Sequence, residues 1–291
     1  MTITHLLKGH EKDLGGGFVV YRMLPAAAKQ AVGPFIFFDH FGPIDVHPDD
    51  DHDVRPHPHI GLATVTYLFD GAMDHRDSIG SFQRIEPGAI NWMTAGRGIV
   101  HSERTPHDLA GTPHRTHGLQ LWAALPLASE EDEPSFTHTP AAAIPVADVA
   151  GVAVRVLIGT AFGQTSPVHT YSPTLYLDVT LQAGQQLQLA DLPEEAAVYP
   201  VSGALEIDGV AQPPHAMALL DSAAPAPLLR AATPVRLVVI GGAAIGHRFM
   251  YWNFVSSRRE RITQAADDWT QQRFDQVPGE TEWIPLPKPL R

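Results

Sequence analysis

The sequence contains no cysteine, and this absence removes several kinds of chemistry at once. Disulfide bonds, thiolate zinc sites and cysteine nucleophiles are all excluded, so redox chemistry has to occur on a bound metal or on a substrate. The motifs G-x-G-x-x-G, G-x-x-x-x-G-K-[ST] and G-x-S-x-G are absent too. Nucleotide binding through such glycine-rich loops and serine hydrolysis therefore have no support in the sequence.

Basic residues are scarce, with 20 Lys and Arg against 32 Asp and Glu and a formal net charge of −12. Because a nucleic-acid binder needs clustered Lys and Arg to displace counterions, direct nucleic-acid binding is not expected. The chain also lacks an apolar run of about 18 residues, and its N-terminus lacks the pattern of a secretory signal. We therefore expect a cytoplasmic protein that makes no contact with a membrane.

Two short pairs of residues carry the chemistry: His57-Pro58-His59 and His101-Ser102-Glu103. On a β-strand residues i and i+2 point to the same face, so each pair would send two potential metal ligands in one direction. Pro58 leaves open that the first pair lies in a surface loop. The second pair favours the metal site, because one sheet folded over a central ion would need two such pairs.

The residues between the two pairs predict β-structure. The run 62–69 is rich in β-branched and aromatic residues and closes with Asp70-Gly71, a turn dipeptide typical of hairpins. Short strands are also predicted at 82–85 and 90–94, each followed by Gly or Pro. This regular spacing indicates a β-sandwich or a small barrel.

Three imidazoles and one carboxylate suit a divalent transition metal. The ligand set favours non-haem Fe(II), although Zn, Mn, Ni, Cu and Co could occupy the same donors. Such an ion would lower the pKa of a bound hydroxyl group, so a catechol or a flavonol would fit as substrate, with dioxygen as co-substrate. Glu103 would be both a ligand and the nearest carboxylate, which makes it the candidate catalytic residue that accepts the substrate proton.

The stretch Arg55–Glu103 closely resembles the signature of the pirins, a branch of the cupin superfamily. The resemblance rests on the R-P-H-P-H entry, the T-V-T-Y-L-F-D-G strand, the W-M-T-A-G-R-G-I turn and the H-S-E exit. Residues 34–41 and 118–122 resemble pirin strands beside the metal pocket and at the end of that domain.

The resemblance implies an all-β bicupin in which His57, His59, His101 and Glu103 bind iron. It also implies that three residues border the substrate pocket: Asp39, Phe41 and Gln120. Most cupins take their carboxylate ligand from a position that is Ala63 here, so Glu103 must supply it. Pirins resembling this chain include enzymes with quercetin 2,3-dioxygenase activity, which open the flavonol ring and release carbon monoxide.

Two other functions stay open at this point. Some pirins act as regulatory proteins, so the chain could be an iron-containing, redox-responsive protein that binds a protein partner. A metal-dependent isomerase or hydrolase would use the same scaffold without dioxygen. We expect a monomer, because two domains of one chain can already cover each other's sheets.

The length of 291 residues favours two domains. We predict a metal-binding cupin domain over 1–127, an acidic, solvated linker over 128–145, and a cupin-like domain over 146–291. Both domains should be jelly-roll β-sandwiches. The second should lack metal ligands because it has no H-x-H pair. His169 and His215, the histidines nearest to the corresponding position, are expected to be ordinary isolated residues.

The end of the chain has a helical period. Ser257-Arg258-Arg259-Glu260 has the form of a capping box, and Ile262, Ala265 and Trp269 follow at helical spacing, which predicts an amphipathic helix over 257–274. We expect this helix to pack on a sheet. The tail 281–291, with its three prolines, should be extended along the body of the protein.

Overall fold

The computed structural model describes residues 2–14 and 17–287 and consists mainly of short β-strands. The first half of the chain forms thirteen strands within these described residues. They are β1 (Ile3–Lys8), β2 (His10–Asp13), β3 (Val19–Leu24), β4 (Phe35–Val46), β5 (Val54–His59), β6 (Leu62–Asp70), β7 (Met73–Asp77), β8 (Phe82–Ile85), β9 (Ile90–Thr94), β10 (Ile99–Arg104), β11 (His114–Ala124), β12 (Ser135–Thr139) and β13 (Val146–Val149).

The second half of the chain continues in the same way and ends with a helix, α1 (Arg259–Thr270). Its strands are β14 (Val152–Ile158), β15 (Thr160–Ala161), β16 (Gln164–Thr165), β17 (Thr174–Leu181), β18 (Gln186–Gln188), β19 (Glu195–Ser202), β20 (Leu205–Ile207), β21 (Val210–Ala211), β22 (Ala216–Leu220), β23 (Leu228–Ala231), β24 (Val235–Gly242), β25 (Phe249–Tyr251) and β26 (Phe254–Ser256). None of the described helices is long and apolar enough to cross a membrane.

Contacts divide the chain into two compact units whose segments alternate along the sequence. Unit 1 comprises three segments: Met1–Lys12, Tyr21–Asp39 and Thr139–Ile245. Unit 2 comprises the other three: Asp13–Val20, His40–His138 and Gly246–Arg291. This division differs from the linear one expected from the sequence, because both ends of the chain associate with residues far away along it.

Unit 1 contains a seven-stranded antiparallel sheet in the order β1-β22-β19-β24-β17-β14-β13 and a four-stranded sheet in the order β18-β23-β20-β21. The first strand of the chain belongs here because β1 pairs with β22, with Ile3 opposite Leu220 and Lys8 opposite Ala216. Alternating apolar positions of these strands meet in one aliphatic core, which includes Val156, Leu237 and Val239.

Unit 2 builds a second sandwich. One of its sheets has the strand order β5-β10-β7-β8, and its other sheet contains β12, β9, β6 and β11 in that order. The Asp70-Gly71 dipeptide was expected to close a hairpin, and this detail is wrong. The strand before it, β6, pairs with β9 and β11, whereas β7 after it pairs with β10 and β8. The dipeptide is therefore a corner between the two sheets.

Helix α1 belongs to unit 2. Its buried residues Ile262, Ala265 and Trp269 pack in a cluster with Ile60 and Val100, which flank the predicted metal ligands in sequence. The amphipathic helix is confirmed, but it is shorter than the predicted span 257–274. Through these contacts α1 packs against the residue that follows β5 and against β10.

The predicted capping box at the start of α1 is wrong. The helix begins one residue later than a Ser257 cap would require, and its N-cap residue, Arg258, makes no side-chain capping bond. Ser257 is engaged elsewhere, because its hydroxyl donates to Glu130 Oε1 at 2.5 Å and its backbone N–H donates to Oε2 at 3.0 Å. A tertiary partner thus takes the hydroxyl that the local motif would have used.

The segment 128–145 is not the solvated linker that its acidic and Pro-rich composition suggested. It contains β12 and a short 3-10 helix at Ala141–Ala143. Glu130 within it is 5% exposed and accepts hydrogen bonds from Ser257. In the described part of the tail, Ile284 donates its backbone N–H to the carbonyl of Pro56 at 2.8 Å. Residues 288–291 of the predicted extended tail lie outside the described residues.

Candidate metal centre

The predicted ligands lie on two neighbouring antiparallel strands of unit 2. In the pairing of β5 with β10, His101 stands opposite His57, and Ile99 stands opposite His59. Pro58 does not force a loop here, because β5 is the edge strand of its sheet, where a missing backbone N–H breaks no ladder. The H-x-H pair is therefore strand-borne, and its two imidazoles share one face.

The three imidazoles meet in a buried cluster. His57, His59 and His101 each offer one ring nitrogen, and these nitrogens all lie within 4.8 Å of one another. The residues are 7%, 1% and 1% exposed. Three imidazole nitrogens gathered this closely in a buried position form a candidate site for a metal ion.

The hydrogen bonds of the three rings show which ring nitrogens are available to bind a metal ion. His57 Nδ1 lies 2.9 Å from the carbonyl oxygen of Arg55, which leaves Nε2 as its free donor. His59 Nδ1 and His101 Nε2 are buried and have no hydrogen-bond partner in the described structure. Because buried polar atoms are seldom left unsatisfied, these nitrogens call for a ligand, and the site fits a divalent metal.

Burial also sets the charge of the three rings. It lowers the pKa of His57 to about 4, and it lowers the pKa values of His59 and His101 well below the ordinary value, with the neighbouring imidazoles adding to the effect. The rings are therefore neutral at physiological pH. Neutral imidazole is the form that donates a lone pair to a metal.

Glu103 lies on the same strand but outside this tight cluster. The register slips between His101 and Glu103, so Glu103 stands opposite Val54 on β5 and opposite His75 on β7. Its carboxylate is not among the donor atoms that lie within 4.8 Å of one another. Burial of its carboxyl group raises its pKa to about 7. Its role as fourth ligand stays a prediction.

The three predicted pocket residues have different surroundings. Phe41 is buried in unit 2, and its ring packs so closely on Gly118 that a Cβ there would lie 2.6 Å from it. Gln120 Oε1 accepts a hydrogen bond from Thr66 Oγ1 at 2.8 Å. Asp39, in unit 1, is held by Arg22 through bonds of 2.8 and 2.7 Å. Burial raises the pKa of Asp39 against the effect of this partner.

Sequence reasoning missed a further polar pair, His75 and Asp77, on β7. His75 Nε2 lies 3.0 Å from Asp77 Oδ2, and His75 Nδ1 lies 3.4 Å from His101 Nδ1. The signal was present, because H-x-D on a strand places both side chains on one face in the same way as H-x-H. The two isolated histidines of unit 1 that the sequence singled out contact tyrosines: the ring of His215 stacks on Tyr21 with 3.6 Å between ring centres, and the ring of His169 packs edge-on against Tyr171 at 5.5 Å.

Comparison with known families gives two matches along the chain. Residues 17–123 match the family described as Pirin, and residues 176–275 match the family described as Pirin C-terminal cupin domain. A "Pirin-like protein" of Caulobacter vibrioides is 44% identical over 283 residues, which cover 95% of this chain and 96% of that protein. A "Putative quercetin 2,3-dioxygenase" of Pseudomonas aeruginosa is 35% identical over 92% of this chain and 84% of that protein.

Solved structures agree with these matches. A crystal structure of quercetin 2,3-dioxygenase from Acinetobacter baumannii superposes with a TM-score of 0.89 and 32% identity, covering 99% of this chain and 97% of that one. A bacterial pirin from Escherichia coli in complex with nickel(II) has a TM-score of 0.65 at 16% identity, covering 83% and 99%, and so shares the fold. The matches span both cupin domains and most of the sequence, and the chain therefore belongs to the pirin family.

Proposed function

We propose that this chain is an Fe(II)-dependent dioxygenase of the quercetin 2,3-dioxygenase type, acting on quercetin or a related flavonol. The observation that carries the proposal is the buried cluster of neutral imidazoles at His57, His59 and His101. Relatives named for this activity are similar to the chain over nearly its full length, which supports the same assignment. Fe(II) is preferred because imidazole donors with open positions suit it and because it reacts with dioxygen.

The reaction balances without any outside reductant. Quercetin takes up one dioxygen, its central ring opens to an ester, and one carbon monoxide leaves, so all atoms of both reactants appear in the two products. The metal, when bound, would supply a Lewis acid for the substrate oxygen and an open-shell centre for dioxygen. The protein has to bind the flavonol, remove the proton of its reacting hydroxyl group and keep water out.

Glu103 is the residue that we assign to the proton. Burial raises the pKa of its carboxyl group to about 7, and a carboxyl group on the same strand as His101 is the base that we assign to the phenolic proton. It lies two residues from His101 on β10, and residues at this spacing point to the same face of a strand, so we also assign it as the fourth ligand.

A row of polar side chains supports the binding of an oxygen-rich ligand in unit 2. Thr66 bonds Gln120 and stands opposite Asn91, so the three side chains share one sheet face. His138 Nδ1 lies 2.7 Å from Asn91 Oδ1, and Asn91 Nδ2 is buried without a partner in the described structure. Trp122, on the same face, lies 5.1 Å from His59 between ring centres. We assign this face to the recognition of flavonol oxygens.

Quercetin-dependent oxygen uptake tests the proposal. Protein reconstituted with Fe(II) should consume dioxygen and release carbon monoxide in a one-to-one ratio, and His101→Ala should abolish both. His215→Ala is the matched control, because it removes a histidine of unit 1 that stacks on Tyr21, and it should retain the wild-type rate. A fully loaded wild type that consumes no dioxygen with quercetin would contradict the proposal and favour the metal-containing regulatory protein instead.

A further inference from the structure

We propose that His75 and Asp77 form a positioning device that holds the metal ligand His101 in the one tautomer that can bind a metal. The inference rests on the metal site of the proposed function. It concerns two residues that would not touch the ion themselves.

The three side chains form a chain of contacts across two neighbouring strands. In the pairing of β7 with β10, Asp77 stands opposite His101, and His75 stands opposite Glu103. His101 Nδ1 lies 3.4 Å from His75 Nδ1, and His75 Nε2 lies 3.0 Å from Asp77 Oδ2. His101, His75 and Asp77 are 1%, 3% and 0% exposed, so water does not compete for these contacts.

Backbone groups hold Asp77, the residue farthest from the metal site in this row of contacts. Asp77 Oδ1 accepts hydrogen bonds from the backbone N–H groups of Ser81 at 2.8 Å and Ile79 at 3.1 Å. Its other oxygen, Oδ2, faces His75. An ionised carboxylate can only accept, so the proton of the contact with His75 has to lie on His75 Nε2.

The remaining protons follow from the chemistry of imidazole. In the proposed device His75 carries one ring proton, on Nε2, so its Nδ1 is an acceptor and the shared proton in the next contact lies on His101 Nδ1. His101 then has a bare lone pair at Nε2. That nitrogen is the buried, unpartnered atom of this ring, which agrees with the inferred tautomer and points to a ligand at Nε2.

Packing holds His75, the middle residue of this row of contacts, in place. The ring of Phe136, on β12, stacks on His75 with 4.3 Å between centres and 15° between planes. Among the described residues, the hydrogen-bond partners of the other two ligands are backbone groups. His57 Nδ1 contacts the carbonyl oxygen of Arg55, and the ring of His59 donates a hydrogen bond to the backbone of Asn253. A substitution of the side chain next to His101 should therefore be able to change the tautomer of this ring.

The most informative variant is Asp77→Asn. The backbone donors of Ser81 and Ile79 hold the amide oxygen at the Oδ1 position, so the amide N–H₂ faces His75 Nε2 and donates to it. His75 then carries its proton on Nδ1 and imposes the Nε2–H tautomer on His101. The lone pair that binds the metal is lost, although the shape of the site is unchanged.

Two measurements read this out, neither of which depends on enzymatic turnover. Long-range ¹⁵N NMR of the metal-free protein should show His101 as the Nδ1–H tautomer in the wild type and as the Nε2–H tautomer in Asp77→Asn. Competition with a chelator, with Co(II) as the probe, should show affinity falling about 100-fold in Asp77→Asn and about 10-fold in His75→Phe, which keeps the stacking but loses the acceptor. Asp74→Asn, another buried acid of β7, should bind Co(II) as the wild type does.

The order of these effects separates positioning from packing. A merely structural role would make the nearly isosteric Asp77→Asn milder than His75→Phe, and that order would overturn the proposal. An Nε2–H tautomer of His101 in the metal-free wild type would overturn it without any variant. A wild type with the expected tautomer and metal affinity but no oxygen uptake would contradict the proposed function and leave this inference standing.

Discussion

The two cupin units of this protein fill their interiors with different chemistry. The main core of unit 1 consists of Ala, Val, Leu and Ile side chains, with Leu237 and Val239 among its fully buried members. Unit 2 instead buries His57, His59 and His101, together with the polar residues around them. Burying polar groups destabilises a fold unless they find partners. The buried acids of unit 1 have such partners, since Arg22 binds Asp39 and Arg236 binds Asp178, whereas His59 Nδ1 and His101 Nε2 in unit 2 have none in the described structure. The comparison indicates that one unit serves stability and the other carries the site.

The strongest test of this contrast is the removal of one ligand from unit 2. His101→Ala should lose stoichiometric metal binding, because it removes one of the three clustered imidazoles. His215→Ala, in unit 1, should retain one metal per chain. The check is metal content by mass spectrometry after removal of excess ion. Loss of the metal in His215→Ala would mean that unit 1 takes part in metal binding, against this assignment.

The converse test removes a core side chain from unit 1. Leu237 is fully buried, so Leu237→Ala should lower the free energy of unfolding by roughly 2–5 kcal/mol. Urea denaturation measures this change. The affinity of the folded protein for Co(II) should stay at the wild-type value. A weaker affinity at temperatures where the variant is folded would show that the core of unit 1 shapes the metal site, against the division of roles.

A smaller effect is expected from an ion pair on the outer side of the ligand strand. Ser102 and Arg104 alternate with the ligands along β10 and bind Glu280, with Arg104 Nη2 2.5 Å from Glu280 Oε2. The side chains of Arg104 and Glu280 are 18% and 10% exposed. Glu280→Gln should therefore lower the free energy of unfolding by about 1–2 kcal/mol, less than the loss of a fully buried pair. It should also weaken Co(II) binding a few-fold.

The matched pair in unit 1 sharpens that result. Arg236 binds Asp178 through both carboxylate oxygens, at 2.9 and 2.6 Å, on neighbouring strands. Asp178→Asn should therefore reduce stability to a similar degree in urea denaturation, but it should leave Co(II) affinity unchanged. Equal losses of affinity in the two variants would mean that ion pairs act on the metal site only through general stability.

The smallest effect concerns acid pH. The hydrogen bond from Arg104 lowers the pKa of Glu280 below its ordinary value of 4.5, so the folded state favours the ionised carboxylate. The contribution of this pair is complete above pH 4.5 and is lost as the pH falls through the lowered pKa of the folded state. Stability measured against pH should thus fall less steeply below pH 4.5 in Glu280→Gln than in the wild type. Identical slopes would show that the pair does not contribute.

Local patterns predicted much of unit 2. The i, i+2 spacing of His57 and His59 and the alternation in 62–69 and 90–94 correspond to strands of the structure, because strand-forming residues and turn punctuation act over a few neighbours. The resemblance supplied the family, which the comparisons confirm. The fourth ligand, Glu103, stays a prediction.

Features that depend on distant partners could not be predicted in this way. Glu130 belongs to an acidic run that looks solvated, yet Ser256, Ser257 and Arg248 lie around it and it is buried. The pairing of β1 with β22 joins residues more than 200 positions apart, which no local pattern encodes. His75 and Asp77 were visible as a motif, but their meaning appears only when β7 lies beside β10.

Anomalous scattering from a crystal of the Fe(II)-loaded protein tests the central claim most directly, because it locates the metal without assuming any activity. The account predicts one peak per chain, between the rings of His57, His59 and His101, and none in unit 1. A peak at any other place, or full metal loading with no peak among these three imidazoles, would contradict it.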